Sequence, residues 1–175
     1  MRQLKEILEG AGHIENRLGS GSSGVVYKIG NDKVRKTFRI ESKYNTIAKE
    51  KSIIERWSHV KKGLKVIPYI YDVNNEGYTM DMFESPCEEG KLIEKVIWKC
   101  LFSPNRSNWT QTQIQKAENL VGKENAEFVM RWLDDYCDDV ELIMGARDIN
   151  DDIRSSNIGK TKDGKIVIFD WIDTH

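Results

Sequence analysis

The end of the sequence carries polar side chains whose types and spacing suit metal-assisted chemistry. Asp152 and Asn157 are five residues apart, and Asp170 follows Asn157 by thirteen residues. Carboxylate and amide oxygens are ligands that hard cations such as Mg²⁺ take. A carboxylate can also accept the proton of a substrate hydroxyl, and a guanidinium such as that of Arg154 can contact a phosphoryl group. These residue types therefore suit phosphoryl transfer at a magnesium site.

A glycine-rich stretch near the start of the chain is a second signal for phosphate binding. Residues 19–26 read G-S-G-S-S-G-V-V and fit the pattern G-x-G-x-x-G-x-V. Glycine lets backbone N–H groups approach an anion closely because it has no side chain. A dinucleotide-binding turn must lead into a helix, whereas residues 25–29 predict a strand, and a Walker A loop needs Lys and Ser or Thr where Val25 and Val26 stand. The pattern favours a strand–loop–strand flap over the phosphates of ATP, with a ligand-free hairpin tip as the alternative.

The strand after this loop and the helix that follows it supply a lysine and a carboxylate. Strand alternation puts Val34 and Lys36 on one face, beneath the glycine loop, and directs Arg35 to the other face. On that face Lys36 is placed to bind the α- and β-phosphates, and Val34 is placed to line an adenine site. Glu50 in the helix is predicted to pair with Lys36. The alternatives are a solvated basic strand end and a solvated helix carboxylate.

The elements that must position these residues follow from apolar periodicity and from turn residues. In the first long helix, the apolar stripe includes Ile53, Ile54 and Trp57. The predicted elements are, in order, a helix over 4–11, strands between 14 and 38 with a turn at 30–32, a helix over 42–58, two strands between 66 and 83 with a turn at 74–77, a helix over 91–101, a helix opened by a capping box at Thr110 and Gln113, a helix beyond Gly122, and a hairpin over 158–169.

Composition and charge argue against several classes of protein. The 175 residues carry 27 Lys+Arg and 28 Asp+Glu, a net charge of −1, which disfavours a dedicated nucleic-acid binder. The apolar runs are too short for a membrane span, which needs about 20 residues. Three separated cysteines without a C-x-x-C pair favour reduced, buried thiols and a cytoplasmic location. His13, His59 and His175 lie too far apart in the sequence to predict a metal site.

The order of these motifs resembles that of the protein-kinase-like superfamily. Residues 152–158 match the catalytic-loop pattern D-[LI]-[KR]-x-x-N-[IL], and residues 50–54 resemble the C-helix. The spacing from Asn157 to Asp170 is similar to the one that precedes the metal-binding aspartate of the D-F-G segment. Residues 17–19, residues 66–73 and the absence of His-Arg before the catalytic loop look most like the small early serine/threonine protein kinases of tailed bacteriophages. The resemblance covers residues 14–170 and is thin between 90 and 145.

The resemblance implies a fold and an activity. The fold class is α+β and protein-kinase-like, with an antiparallel N-lobe and one C-helix over residues 1–84 and a reduced, mostly helical C-lobe over residues 85–175. The cofactors are ATP and Mg²⁺. The activity is transfer of the γ-phosphate to Ser or Thr of host proteins, including the transcription machinery, in the host cytoplasm.

The resemblance also implies roles for individual residues. Asp152 and Arg154 become catalytic residues, and Asn157 and Asp170 become metal ligands. Phe83 becomes the gatekeeper, and residues 84–86 become the hinge that meets adenine, although Pro86 has no N–H to donate. The implied ATP-binding residues are Gly19, Gly21, Gly24, Val26, Val34, Lys36, Glu50, Phe83, Glu84 and Ser85.

The sequence departs from the protein-kinase pattern in its last third. Asn150-Asp151 stand where most kinases have His-Arg, and Asp170-Trp171-Ile172 stand where most have Asp-Phe-Gly. Five residues follow Asp170, so the later C-lobe helices that hold a peptide are expected to be missing. Two alternatives stay open. One is a kinase-like binding module or pseudokinase that blocks a host protein, and the other is an aminoglycoside-type small-molecule kinase, which an Asp-Trp pair also fits.

The shortened C-lobe predicts that the helix beyond Gly122 exposes an apolar face. With few helices left to cover Val129, Leu133 and Tyr136, we expect a homodimer or a partner chain to bury them. The apolar face of this helix comprises Ala126, Val129, Leu133, Tyr136, Cys137 and Val140.

Overall fold

A computed structural model describes residues 14–20, 24–38, 46–100, 109–145 and 153–172. These residues divide into two units, one of residues 14–59 and 69–82 and the other of residues 60–68 and 83–172. The predicted helix over 4–11, Gly21 and Asp152 lie outside the described residues.

In the described residues, the first unit is an antiparallel sheet of five strands with one helix. The strand order is β1-β2-β3-β5-β4. Tight turns join the strands at the two positions that the sequence predicts. Gly30 has a positive φ of 59° in the first turn, and in the second the Asn74 side chain accepts hydrogen bonds from the N–H groups of Glu76 and Gly77. The elements are β1 (Ile14–Ser20), β2 (Gly24–Ile29), β3 (Lys33–Phe38), α1 (Thr46–His59), β4 (Ile70–Asn74) and β5 (Gly77–Asp81).

Helix α1 packs on the sheet through the stripe predicted from the sequence. Ile53, Ile54 and Trp57 are buried. The Trp57 ring lies against the Tyr78 ring of β5, with centroids 5.7 Å apart. The apolar spacing of three and four residues therefore correctly predicts which face of α1 turns toward the sheet.

The second unit contains helices followed by a small hairpin. Helix α2 starts three residues before the predicted position, because the Cys87 sulfur accepts a hydrogen bond from the N–H of Gly90 in the first turn. Helix α3 opens with the predicted capping box of Thr110 and Gln113. The elements in the described residues are α2 (Glu88–Cys100), α3 (Gln111–Val121), α4 (Lys123–Met144), a 3-10 turn (Ser155–Asn157), β6 (Ile158–Lys160) and β7 (Ile166–Ile168).

The apolar face of α4 is covered within the same chain, which corrects the expectation of an interface. Val129, Leu133 and Tyr136 each have 0% of their surface exposed. Helices α2 and α3 pack against α4, and the Trp132 indole on α4 donates a hydrogen bond to the carbonyl of Ile166 in β7. The prediction that a homodimer or a partner chain buries this face was therefore wrong. Helices α2 and α3 and the β6–β7 hairpin of the same chain bury it instead.

A buried carboxylate on α4 holds the segment that follows α1. Asp139 is 1% exposed and accepts hydrogen bonds from the backbone N–H groups of Lys65, Val66 and Ile67 at 2.7–2.9 Å. Burial raises the pKa of Asp139 above its ordinary value, and these three hydrogen bonds oppose the rise. The N–H of Ile168 in turn donates to the carbonyl of Val66 at 2.9 Å. Asp139 thus ties the 65–67 segment, and through it β7, to α4.

All three cysteines are free thiols and buried, as the sequence predicts. Among the described residues, none of the helices has the length and apolar character needed to cross a bilayer.

Replacement of Asp139 by Ala is expected to destabilise the protein by at least about 2 kcal/mol, because the buried N–H groups of Val66 and Ile67 lose their acceptor at about 1–3 kcal/mol each. Asp138→Ala is the matched control, since Asp138 is 43% exposed and pairs with Lys65 on the surface. It is expected to cost at most about 1 kcal/mol. Urea unfolding of both variants measures the difference, and equal losses would contradict the role given to Asp139.

Candidate functional site

The glycine-rich stretch joins two antiparallel strands, β1 and β2. Gly19 is opposite Val26, and Ser20 is opposite Val25. Because a strand follows the last glycine, the geometry excludes a dinucleotide-binding turn, which needs a helix at that point. The strand–loop–strand arrangement predicted from the sequence is therefore confirmed on both sides of the loop, while the loop residue Gly21 lies outside the described residues.

The two described glycines of this stretch have different surroundings. A side chain at Gly24 would put its Cβ 2.4 Å from the carbonyl oxygen of Thr37, so close packing of β2 on β3 already requires glycine there. A Cβ at Gly19 would meet no atom of the described residues within 4 Å. The register of β1 against β2 shifts between Arg17 and Gly19. Glycine in a strand is typical both of such a bulge and of a close approach of backbone to a ligand.

The predicted ion pair between Lys36 and Glu50 is present and buried. The Lys36 ammonium lies 3.2 Å from a carboxylate oxygen of Glu50, and the two side chains are only 6% and 3% exposed. Val34 lies on the same face of β3 and is also buried. Arg35 points the other way, where its guanidinium donates to Asn74 at 2.9 Å and to Thr79 at 3.3 Å. Strand alternation thus correctly places Arg35 and Lys36 on opposite faces of β3.

In the second unit, the 3-10 turn and the hairpin bring Asn157 and Asp170 to the same end of β6 and β7. The N–H of Asn157 donates to the carbonyl of Arg154 at 2.9 Å, which closes the turn, and the N–H of Phe169 donates to the carbonyl of Asn157 at 3.0 Å. Asp170 directly follows Phe169, so it lies next to the residue that is hydrogen-bonded to Asn157. Arg154 is exposed beside them. The position of Asp152 lies outside the described residues.

The segment predicted as a hinge is attached to β6. The N–H of Glu84 donates to the carbonyl of Lys160 at 3.0 Å, and the N–H of Lys160 donates to the carbonyl of Glu84 at 2.9 Å. Both backbone groups of Glu84 therefore form hydrogen bonds within the second unit.

Side chains around this segment fix its position in the second unit. The Phe83 ring stacks on the Phe169 ring, with centroids 5.8 Å apart and planes 19° from parallel. The Ser85 hydroxyl lies within hydrogen-bonding distance of the carbonyls of Ser156, at 3.2 Å, and Ile158, at 3.0 Å. The predicted gatekeeper therefore contacts the residue immediately before Asp170.

Two carboxylates of α2, Glu89 and Glu94, contact β6 and the 3-10 turn, and no sequence motif predicts either contact. Glu89 pairs with Lys160 at 2.7 Å, and the hydrogen bond from that ammonium lowers the pKa of Glu89. Glu94 accepts a hydrogen bond from the backbone N–H of Ser155 at 3.1 Å. Both partners lie more than 60 residues away along the chain, so neither contact could be found from local spacing.

The donor set offered by Asn157 and Asp170 suits Mg²⁺ better than a transition metal. An amide oxygen and one carboxylate are hard ligands, and Mg²⁺ completes its octahedral shell with water and with substrate phosphates. Within the described ranges, no group of three or more His, Cys, Asp and Glu side chains is placed to hold a metal ion. Asn157 and Asp170 would together supply two oxygen ligands to such a metal.

Comparison of the sequence with protein-family models finds no match, and comparison with the curated proteins finds no similar chain.

Substitution of both members of the buried ion pair tests how the pair is held. Lys36→Met alone is expected to cost about 3–5 kcal/mol of stability, because Glu50 is then left buried without its cation. Lys36→Met combined with Glu50→Leu is expected to recover most of that loss, because no buried charge remains. Denaturant unfolding measures both, and a single variant as stable as the unmodified chain would contradict the described burial.

Proposed function

We propose that this chain is an ATP- and Mg²⁺-dependent phosphotransferase of the protein-kinase-like type that acts on Ser or Thr hydroxyls of proteins. One observation carries the proposal above all, namely the buried Lys36–Glu50 ion pair on the sheet whose first two strands carry the glycine-rich loop. A glycine-rich loop and a lysine in one antiparallel sheet, with the paired carboxylate in the helix that follows, form the arrangement that ATP-binding kinases use for the phosphates.

The energetics of this ion pair favour a role in ligand binding over a role in stability. Removing a lysine and a glutamate from water costs about as much as their attraction returns, so a buried ion pair adds little stability compared with apolar residues of similar volume. An ammonium oriented by a carboxylate is, however, well placed to bind phosphate oxygens. A role in binding an anionic ligand explains why these two charges occupy a buried position.

In the proposed site, the residues divide into three tasks. Backbone N–H groups of the glycine-rich loop and the Lys36 ammonium bind phosphates, while Val26 and Val34 contact the adenine. Asn157 and Asp170 hold the metal. Mg²⁺, when bound there, neutralises charge that develops on the transferring phosphoryl group.

Side chains of the 152–157 segment take part in the proposed transfer step. The acceptor hydroxyl oxygen forms a bond to the γ-phosphorus, and the bond from that phosphorus to the β–γ bridging oxygen of ATP breaks, leaving ADP. The hydroxyl proton passes to the Asp152 carboxylate. The Arg154 guanidinium, which is exposed, contacts the phosphoryl oxygens and favours a protein acceptor, because a cation at this position of the loop is typical of protein kinases.

Binding and transfer are measured separately. ATP with Mg²⁺ at about 100 times its dissociation constant is expected to stabilise the chain by about 2.7 kcal/mol, a rise of about 5–11 °C in the unfolding midpoint for this size. Label from [γ-³²P]ATP is expected on Ser or Thr of a protein substrate in a cell lysate.

Three variants identify the groups responsible. Asp152→Ala is expected to keep the thermal shift but to lose transfer by a factor on the order of 100 or more. Asp170→Asn is expected to weaken the Mg²⁺-dependent part of the shift. The double variant Lys36→Met with Glu50→Leu, which is expected to keep its fold, is expected to lose the shift. No shift with the unmodified chain would refute the proposal, and a shift without transfer to proteins or small molecules would identify a binding module instead.

A further inference from the structure

Helix α2 lies closely over the 155–158 segment that begins with the 3-10 turn. Gly90 approaches Ile158 so closely that a Cβ at position 90 would be 3.1 Å from the Ile158 Cβ. Glu94 lies one helical turn further along the same face of α2 and accepts a hydrogen bond from the N–H of Ser155 at 3.1 Å. The close approach and the hydrogen bond together set the distance between α2 and this segment.

The hydrogen bond from Ser155 to Glu94 satisfies a backbone group that the turn itself leaves without a partner. The first N–H groups of a helical turn have no acceptor within that turn. Arg154 occupies the position before the turn, and its side chain makes no capping hydrogen bond. The carboxylate that fills this need comes from a residue 61 positions earlier in the chain.

We propose that Glu94 is a positioning residue of the phosphoryl-transfer site, which fixes the placement of Arg154 and Asn157 through the Ser155 N–H. This role rests on the proposed phosphotransferase function. The hydrogen bond from the Asn157 N–H to the Arg154 carbonyl spans the turn at 2.9 Å, so displacement of Ser155 moves both flanking residues. Glu94 itself contacts neither the nucleotide nor the acceptor in this scheme.

The other tethers of this segment act on different backbone groups. Phe169 donates to the carbonyl of Asn157, and the Ser85 hydroxyl donates to the carbonyls of Ser156 or Ile158. These contacts hold the end of the turn, whereas Glu94 holds its beginning. Loss of Glu94 is therefore expected to loosen the first residues of the turn without detaching the segment.

The first test compares two substitutions of Glu94. Glu94→Ala is expected to lower kcat about tenfold, the lower end of the effect of removing a direct partner of a metal ligand, because Glu94 acts on Asn157 through Ser155. The variant is also expected to raise the Mg²⁺ concentration needed for half-maximal rate. Glu94→Gln keeps an acceptor oxygen and is expected to restore kcat to within about threefold, since the backbone N–H bond remains. Glu88→Ala is the matched control, because Glu88 is an exposed carboxylate on the same helix, and it is expected to behave as the unmodified chain does.

A second variant removes the donor instead of the acceptor. Ser155→Pro deletes the N–H, and proline is favoured at the first position of a helical turn. Arg154 has φ −119° and ψ 150°, the extended conformation that a residue before proline adopts. Ser155→Pro is expected to reproduce the kinetic effect of Glu94→Ala, and the double variant is expected to be no slower than either single variant, because both delete the same hydrogen bond. Additive losses, or a Ser155→Pro variant with unmodified kinetics, would overturn the proposed role.

Binding of Mn²⁺ in the presence of a non-hydrolysable ATP analogue, followed by electron paramagnetic resonance, gives a readout independent of turnover. Glu94→Ala is expected to weaken Mn²⁺ binding, and Glu88→Ala is expected to leave it unchanged. If the unmodified chain binds neither nucleotide nor Mn²⁺, the proposed function fails and the role of Glu94 fails with it. If the unmodified chain binds both and transfers phosphate, and Glu94→Ala matches it in kcat and in Mn²⁺ affinity, the role of Glu94 alone is refuted.

Discussion

The Asp139 carboxylate is inside the second unit, where its two oxygens accept hydrogen bonds from three consecutive backbone N–H groups. The central residue of the three, Val66, offers its carbonyl to Ile168 in the hairpin. The residue after Ile168 donates to Asn157, which connects the buried carboxylate to the proposed metal ligands through backbone hydrogen bonds. A buried carboxylate must keep its hydrogen-bond partners, so Asp139 holds the 65–67 segment in place. The placement of the proposed metal ligands therefore depends on a side chain outside the proposed site.

The first unit contains a buried carboxylate of a different kind. Glu50 is partnered by the ammonium of Lys36, a group on a flexible side chain, whereas the partners of Asp139 are backbone dipoles that cannot turn away. A lysine can exchange one anionic partner for another, and a backbone N–H in a fixed segment cannot. The two buried acids thus suit different tasks, with Asp139 holding structure and Glu50 holding a cation that a ligand can share.

Sequence reasoning succeeded where the determinant is local and failed where it is tertiary. The spacing of Ile53, Ile54 and Trp57 and the capping pair of Thr110 and Gln113 are encoded within a few residues, and the Lys36–Glu50 pair follows from motif order. Asp138 and Asp139 are identical in type and adjacent, and only the packing of α4 leaves the first half-exposed and the second buried. The cover over the apolar face of α4 was missed for the same reason, since part of it comes from a hairpin more than thirty residues away.

Gly24 and Gly77, in the strands on either side of β3, restrict how Lys36 can move. A Cβ at Gly24 would lie 2.4 Å from the Thr37 carbonyl oxygen, and a Cβ at Gly77 would lie 2.0 Å from that of Lys36, so neighbouring strands contact β3 from both sides with no space for even a methyl group. The backbone of Lys36 is accordingly fixed by its neighbours. Any exchange of its ammonium between Glu50 and another anion is then a rotation about side-chain bonds, which requires no displacement of the strand and no opening of the sheet.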